Sequence, residues 1–256
     1  MRRVIFNQKG GVGKSTITCN LAAISAASGI RTLVLDLDPQ SNSTSYLLGR
    51  GDEPENTLAD YFDQLLSFRL HQNPVEAYVH ETPFENLDIM PSARHLDELQ
   101  GKLESRYKIY KLREALDELA DTYDAIYLDT PPALNFYTRS ALIAAERCLI
   151  PFDCDDFSRH ALYDLLNALM EIREDHNPGL AIEGIIVNQY NARANVLRNA
   201  VEELQQEGHP VLEPYIASSV KIKESHERAV PLVHLAPRHK VTTQYQELFQ
   251  ALQKAG

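Results

Sequence analysis

Short apolar runs alternate along the chain with longer segments in which apolar residues recur at helical spacing. Such runs, bounded by turn residues, are typical of buried strands, and the segments between them are typical of helices. Their alternation predicts an α/β fold with a mostly parallel, twisted β-sheet covered by helices on both faces. The predicted strands are Arg3–Phe6, Thr32–Asp36, Asn86–Met90, Ala125–Asp129, Arg147–Pro151, Ala181–Val187 and Val211–Glu213.

The bulk properties predict one domain over residues 1–256. The chain shows no internal repeat, low-complexity tract or long linker, and its length is enough to bury a substantial core. Three cysteines, Cys19, Cys148 and Cys154, indicate core residues in a reducing compartment rather than a disulfide framework. No apolar run approaches the roughly 20 residues of a membrane span, and the first strand begins at the N-terminus. We therefore expect a cytoplasmic protein without a signal peptide.

The strongest local pattern is the glycine-rich loop that follows the first strand. Glycines let backbone N–H groups turn inward around phosphate oxygens, and the N-terminus of the next helix favours anions. In such a P-loop, Lys14 reaches the terminal phosphates and the Ser15 hydroxyl binds Mg²⁺. The alternative is a glycine-rich turn without a ligand. The loop reads Asn7-Gln8-Lys9-Gly10-Gly11-Val12-Gly13-Lys14-Ser15-Thr16.

The exact form of this loop is informative. Position 8 is Gln where the usual P-loop has glycine, and Lys9 adds a second lysine at the loop entrance. This deviant Walker A form, Lys-Gly-Gly-x-Gly-Lys-Ser, resembles the ParA/MinD family of ATPases. The resemblance implies that Lys9 crosses to the phosphates of a partner subunit. It also implies that the nucleotide is bound by Gly10, Gly11, Val12, Gly13, Lys14, Ser15 and Thr16.

Two further strands end in carboxylates. The second strand continues into Asp36-Leu37-Asp38-Pro39-Gln40, where Pro39 indicates that the chain is already turning. This run resembles the second motif of the family, which assigns Asp38 to the attacking water and places Asp36 near the Mg²⁺ shell. Asp129, before Thr130-Pro131-Pro132, stands at the Walker B position, where a carboxylate orients Mg²⁺. We expect the loop after Asp129 to sense the γ-phosphate.

The sixth predicted strand and the residues after it suggest the base and DNA contacts. Relatives have an Asn where the strand Ala181–Val187 ends, and there it recognises adenine, so Asn188 is the candidate here; a simple turn residue is the alternative. The family typically has Ile-Pro-Arg before a basic residue, whereas this chain has Ile216-Ala-Ser. Solvated surface charges are the alternative to a DNA interface. The candidate DNA contacts are Arg193, Arg198, Lys221 and Lys223.

The charge distribution bears on the DNA hypothesis. The net charge of −11 argues against a generally basic nucleic-acid binder. The segment from Arg193 to Lys240 holds seven basic and six acidic residues, so it carries +1 and the remainder carries −12. A local basic face is therefore compatible with an acidic chain.

The last segment, Lys240–Lys254, has one apolar stripe and few lysines. Because MinD proteins end in a basic amphipathic membrane helix, both membrane attachment and docking on the core are open here; the composition favours docking. The stripe is formed by Val241, Tyr245, Leu248, Phe249 and Leu252.

Taken with the resemblance, these patterns predict a ParA-like ATPase. It would bind ATP and Mg²⁺, form an ATP-dependent homodimer, bind DNA non-specifically on the nucleoid and hydrolyse ATP slowly until a ParB-like or other adaptor stimulates it. The cargo would be a plasmid, a chromosome origin or a protein assembly. The alternatives are a MinD-like membrane-associated positioning ATPase and a metabolic enzyme that uses ATP to form an amide or a ring.

Overall fold

A single sheet organises the computed structural model, which describes residues 1–51, 53–67, 71–153, 159–191 and 195–254. Within these residues the sheet has eight strands in the order β3-β4-β2-β5-β1-β6-β7-β8, and every neighbouring pair is parallel except β3 with β4. The predicted α/β fold is therefore confirmed. The strands are β1 Arg2–Ile5, β2 Thr32–Asp36, β3 His80–Glu81, β4 Leu87–Met90, β5 Ala125–Asp129, β6 Arg147–Asp153, β7 Ala181–Asn188 and β8 Val211–Leu212.

Helices cover both faces of the sheet. Successive strand side chains point to opposite faces, so Val34 and Leu35, like Tyr127 and Leu128, belong to two different apolar clusters. The helices are α1 Lys14–Ala27, α2 Asn42–Leu48, α3 Leu58–Leu66, α4 Leu96–Ser105, α5 Lys111–Glu118, α6 Phe136–Ala144, α7 Arg159–Asp175, α8 Asn195–Gln206, α9 Val220–Arg228, α10 Leu232–Leu235 and α11 Lys240–Lys254, with a 3-10 turn at Val75–Tyr78.

The predicted strands differ from the observed ones mainly at their ends. Strand β1 begins and ends one residue earlier than predicted, and β6 continues through Pro151 to Asp153. A proline is tolerated there because the pairing of β6 with β1 ends at Leu149, so the missing Pro151 N–H lies beyond that ladder, while the Pro151 carbonyl accepts from the Asn7 side chain. The two-residue strand β3 was not predicted, since a pair of polar, partly exposed residues carries no alternating pattern.

Two of the cysteines are core residues, as expected. Cys19 and Cys148 are free thiols without solvent exposure, and burial raises the pKa of both. They are therefore uncharged at neutral pH and behave as small apolar side chains. Cys154 lies outside the described residues.

The C-terminal helix docks on the core. All five residues of its predicted apolar stripe are buried, and α11 packs along α1. The C-terminal end of α11 is held by the buried Arg3 side chain, which donates to the Leu252 carbonyl. Arg3 is itself fixed by two 2.8 Å hydrogen bonds to Glu183. The helix therefore uses its apolar face inside the protein. Among the described residues, no helix is long and apolar enough to cross a membrane.

The docked helix gives a stability prediction. Leu248→Ala removes a fully buried side chain and leaves a cavity, so the free energy of unfolding should fall by about 2–5 kcal/mol. Glu247→Ala changes the neighbouring exposed residue and should stay within about 0.5 kcal/mol of the unchanged protein. Urea denaturation measures both values. Equal stability of the two variants would contradict docking of α11.

Candidate functional site

The sheet topology brings the predicted motifs together at the carboxyl ends of the parallel strands. Parallel strands end at the same side, and the order β2-β5-β1-β6-β7 places the loop after β1 between the carboxylates and Asn188. Asp36 and Asp129 are direct register partners at the ends of β2 and β5. Ligands of open α/β sheets bind outside such carboxyl ends. The motifs that the sequence separates by more than 150 residues therefore lie together in space.

Glycine is required in the loop after β1 for two reasons. Gly11 and Gly13 have φ values of 79° and 90°, in the left-handed region that other residues avoid. In addition, a Cβ on Gly13 would lie 2.3 Å from Nδ2 of Asn188, closer than packing allows. Gly13 is also the N-cap of α1, and its carbonyl accepts the first helical hydrogen bond, from Ile17. The glycines thus set the loop against both α1 and β7.

Lys14 is held inside this loop. Its side chain is buried, and its ammonium donates to the Lys9 carbonyl over 3.0 Å. Burial lowers the pKa of Lys14, whereas the charges of Asp129 and Asp38 raise it. The cation is therefore partly dehydrated and faces two carboxylates. This is an arrangement that favours phosphate, which gains more from a dehydrated cation than from a solvated one.

Asp129 is ready to accept another ligand. It has no solvent exposure, its Oδ2 accepts from the Ser43 hydroxyl at 2.7 Å, and its Oδ1 is buried without a hydrogen-bond partner in the described part of the chain. Burial raises its pKa to about 6, while Ser15, Ser43 and Lys14 lower it. A buried, unpaired carboxylate oxygen is costly unless a donor or a cation completes it.

Asp36 is bonded to its own chain. Its Oδ2 accepts from the backbone and the hydroxyl of Thr44, both at 2.8 Å, and its Oδ1 accepts from the Asp38 backbone at 3.2 Å. Burial and then the charge of Asp129 raise the pKa of Asp36 to about 8. Both oxygens of Asp36 are therefore engaged by groups of the same chain segment.

Asp38 lies on the turn that Pro39 predicts. It is 6% exposed, its Oδ1 accepts from the Gln40 backbone, and its carbonyl accepts from the Ser92 hydroxyl. These bonds fix the turn after β2, while the side chain remains close enough to act on the pKa of Lys14 and Asp129. The structure therefore brings the three carboxylates and Lys14 into one electrostatic site.

The donors fit a magnesium ion that is shared with a ligand. No group of three His, Cys, Asp or Glu side chains among the described residues is arranged to hold a metal by itself. Mg²⁺ commonly keeps several waters and takes one or two carboxylates together with substrate phosphates. The unpaired oxygen of Asp129 and the nearby Ser15 hydroxyl match that partial set of oxygen donors.

The loop after β5 lies against the glycine loop. The Thr130 hydroxyl donates to the Ile5 carbonyl at 2.7 Å, which ties the end of β5 to the end of β1. A Cβ on Gly10 would lie 3.9 Å from the Cβ of Pro132, an ordinary contact distance. A ligand in the glycine loop therefore has Pro132 as a near neighbour.

A cavity of about 500 Å³ opens beside the loop. Asn188 forms part of its wall, but the Asn188 amide donates to the Val12 carbonyl at 2.9 Å, so this residue supports the loop. Within the described residues, its Oδ1 is buried without a hydrogen-bond partner. The adenine role of Asn188 stays a prediction, with Oδ1 as the available acceptor. The wall comprises Gly11, Gly13, Thr16, Asn188, Gln189, Ser218, Ser219, Val220, Ile222 and Lys223.

The four candidate DNA contacts differ in their surroundings. Helices α8 and α9 follow β7 and β8, which are paired in the sheet. Arg198 forms an exposed ion pair with Glu202 at 3.7 Å, and Lys221 lies 2.6 Å from Glu224, so each is partly neutralised on its own helix. Lys223 is exposed and also lines the cavity. Arg193 lies outside the described residues.

Several site residues were not predicted from the sequence. Ser43 and Thr44 bind the two buried carboxylates, and the run of hydroxyl residues after Asp38 was the available signal. Asn7 accepts from the Lys9 backbone and donates across to β6. His226, whose Nε2 lies 2.8 Å from the Thr16 hydroxyl, carried no signal because 210 residues separate the two.

Known proteins resemble this chain in sequence and in fold. A family model described as an AAA domain matches residues 3–182. The chain is 33% identical to the chromosome partitioning protein ParA of Myxococcus xanthus (strain DK1622), over 98% of this chain and 87% of the relative.

Two solved structures share the fold over nearly the whole chain. The septum site-determining protein MinD complexed with Mg-ADP from Pyrococcus horikoshii OT3 has a TM-score of 0.77 and 26% identity, covering 99% of this chain and 96% of that chain. Cobyrinic acid a,c-diamide synthase from Mycobacterium smegmatis, with bound ATP analogue and magnesium, has a TM-score of 0.86 and 24% identity, covering 99% and 94%.

The raised pKa of Asp36 predicts the pH dependence of stability without nucleotide or metal. Between the ordinary pKa, about 4, and about 8, the folded protein holds a proton that the unfolded chain has released. Raising the pH through this window therefore favours unfolding, by up to about 1.4 kcal/mol per pH unit. Asp36→Asn should flatten the decline measured by urea denaturation between pH 6 and 8. An equally steep decline in the variant would contradict this origin.

Proposed function

Because the chain belongs to the ParA/MinD family of P-loop ATPases, we propose that residues 1–256 act as one ParA-like ATPase domain. It binds Mg-ATP, dimerises over the nucleotide and hydrolyses ATP slowly until an adaptor protein stimulates it. The observation that best supports this proposal is the buried Lys14 ammonium inside a glycine loop, beside buried carboxylates of which one has an unpaired oxygen.

Each residue of the site has a role in this proposal. Lys14 neutralises the terminal phosphates, and the backbone of Gly10–Thr16 supplies N–H donors at the start of α1. Ser15 and Asp129 hold Mg²⁺, and Asp36 supports its water shell. When bound, Mg²⁺ supplies a positive charge that offsets the phosphate charge in the transition state. Asp38 orients the attacking water, for which a carboxylate at the edge of the site is suited.

Lys9 is proposed to complete the site of a second subunit. It stands at the loop entrance, partly exposed, while its carbonyl accepts from Lys14. A cation there supports binding of phosphates presented by a facing copy of the protein, since this position borders the glycine loop. The dimer would therefore form when ATP is bound in both subunits.

The proposed cellular role is positioning on DNA. The similarity to a chromosome partitioning protein supports non-specific DNA binding on the nucleoid, with a ParB-like or other adaptor and with a plasmid, chromosome origin or protein assembly as cargo. Arg193, Arg198, Lys221 and Lys223 are the proposed contacts. The departure from Pro-Arg at Ala217-Ser218 removes one basic side chain from this surface, so avidity in the dimer is required.

The MinD-like alternative shares the ATPase site and differs in the surface that it attaches to. The burial of the apolar stripe of α11 favours the DNA role, because that stripe is used in the core. Sedimentation with lipid vesicles in the presence of ATP separates the two functions. The metabolic alternative rests on similarity of fold with the diamide synthase.

Loss of Lys14 tests the site itself. Lys14→Ala should abolish ATP binding measured by calorimetry, because the buried cation that neutralises the phosphates is lost. Ser15→Ala should instead weaken binding in Mg²⁺ more than binding in a chelator. Unchanged ATP affinity in Lys14→Ala would reject the nucleotide site.

Asp38 and Lys9 separate hydrolysis from dimerisation. Asp38→Ala should retain ATP binding but lose turnover by about 10²-fold or more, and should sediment as an ATP-bound dimer. Lys9→Ala should bind ATP and sediment as a monomer. Analytical ultracentrifugation with ATP reads both outcomes, and a normal ATP dimer of Lys9→Ala would overturn the cross-subunit role.

DNA binding should be sequence-independent, dependent on ATP and sensitive to salt. Each phosphate contact lowers the log–log salt slope by about 0.9, so Arg193→Glu and Lys221→Glu should both weaken binding and flatten that slope. Neither should alter ATPase activity without DNA. Lys102→Glu makes the same charge change on the exposed face of α4 and serves as the control. Equal binding with ADP and ATP would contradict the DNA role.

A further inference from the structure

His226 connects the far wall of the cavity to the glycine loop. It lies near the end of α9, whose first residues, Val220, Ile222 and Lys223, line the cavity opposite Gly13. Its ring nitrogen Nε2 is 2.8 Å from Oγ1 of Thr16, in the first turn of α1. Thr16 also lines the cavity, so His226 contacts a residue of the cavity wall.

The ring is held in place by a satisfied polar network. It stacks on Tyr46 with a centroid distance of 4.0 Å and an interplanar angle of 22°. The Tyr46 hydroxyl lies 2.7 Å from the Ser225 hydroxyl and accepts from the Asn20 amide, and Asn20 accepts from the Leu232 backbone. The network joins α1, α2, α9 and α10, and a fully bonded network of this kind fixes its members. Within the described residues, the hydrogen bond that the His226 ring makes is the one to Thr16.

The chemistry of the contact has two possible forms. A neutral imidazole has one donor and one acceptor nitrogen, and a hydroxyl has one donor hydrogen and two acceptor lone pairs. If Nε2 accepts, the Thr16 hydrogen is used on His226, and only lone pairs face the cavity. If Nε2–H donates, the Thr16 hydrogen is free to donate to an anion. Burial, followed by the charge of Arg50, lowers the pKa of His226, which favours the neutral ring.

We propose that His226 is a positioning residue for the nucleotide: its Nε2–H donates to Thr16, which turns the Thr16 hydroxyl into a donor toward a phosphate oxygen. The inference rests on the proposed nucleotide site and adds a partner that acts through Thr16. Because His226 belongs to α9, the same contact links phosphate binding to the helix that carries Lys221 and Lys223.

Histidine NMR tests the direction of the hydrogen bond. In the full-length protein labelled with ¹⁵N-histidine, the ring ¹⁵N shifts of His226, assigned by its loss in His226→Gln, should report the Nε2–H tautomer when Mg-ADP is bound. Adenosine, which has no phosphate, should leave the tautomer populations of the free protein unchanged. The Nδ1–H tautomer in the Mg-ADP complex, or an equal response to adenosine, would overturn the proposal.

Affinity for Mg-ADP gives a second test. His226→Phe keeps the ring that stacks on Tyr46 but removes the donor, and Thr16→Val removes the hydroxyl, so each should weaken binding by about 3- to 10-fold. The double variant should bind no more weakly than the weaker single variant, because both changes remove one linked interaction. His226→Gln, whose amide N–H reaches a similar position, should restore affinity to within about 2-fold.

The matched control is His234. It stacks on Phe84 at 4.8 Å in the neighbouring helix α10, and burial lowers its pKa as well, but it does not line the cavity. His234→Phe should leave Mg-ADP affinity unchanged. Independent, additive losses in Thr16→Val and His226→Phe, or failure of His226→Gln to restore binding, would reject the positioning role. In either case Mg-ADP binding by the unchanged protein would keep the proposed nucleotide site intact.

Discussion

The structure depends on the burial of two carboxylates side by side. Asp36 and Asp129 end adjacent strands, face each other in register and have no solvent exposure. Burial raises the pKa of both carboxyl groups, and a neighbouring carboxylate adds to the effect, Asp129 for Asp36 and Asp38 for Asp129. Hydroxyl donors from α2 and the Lys14 ammonium offset part of this cost. What remains, within the described residues, is a buried oxygen of Asp129 without a hydrogen-bond partner, which a cation can complete.

The surrounding fold keeps this site in place from both ends of the chain. Helix α1 begins at Lys14 and runs between the sheet and α11, so the glycine loop is anchored by packing that includes the C-terminal helix. Strand β7 presses Asn188 against Gly13, and α9 reaches Thr16 through His226. The glycine loop is thus supported by strands, and the segment between β8 and α9 contributes Ser218 and Ser219 to the wall of the cavity beside it.

Features that depend on neighbouring residues were predicted from the sequence more completely than contacts between distant segments. The strands, the glycine loop and the three carboxylates follow from short runs, because hydrophobic periodicity and turn chemistry act over a few residues. Strand β3 escaped prediction, since its pairing comes from β4 rather than from its own sequence. The contacts of Asn188 with the loop and of His226 with Thr16 depend on how distant segments meet. The pairing of Lys221 with Glu224, by contrast, follows from helical spacing and was readable in the sequence.

The central claim is that the buried carboxylates and Lys14 form one site for a phosphate-bound cation. If so, binding at pH 7.5 must displace the proton that burial retains on Asp36, whose pKa is about 8, whereas Asp129, with a pKa of about 6, is already largely ionised. Calorimetry with preformed Mg-ATP at pH 7.5, in two buffers of different ionisation enthalpy, measures that proton release directly. The account predicts net proton release that is smaller in Asp36→Asn. Binding of Mg-ATP with the same enthalpy in both buffers would contradict it.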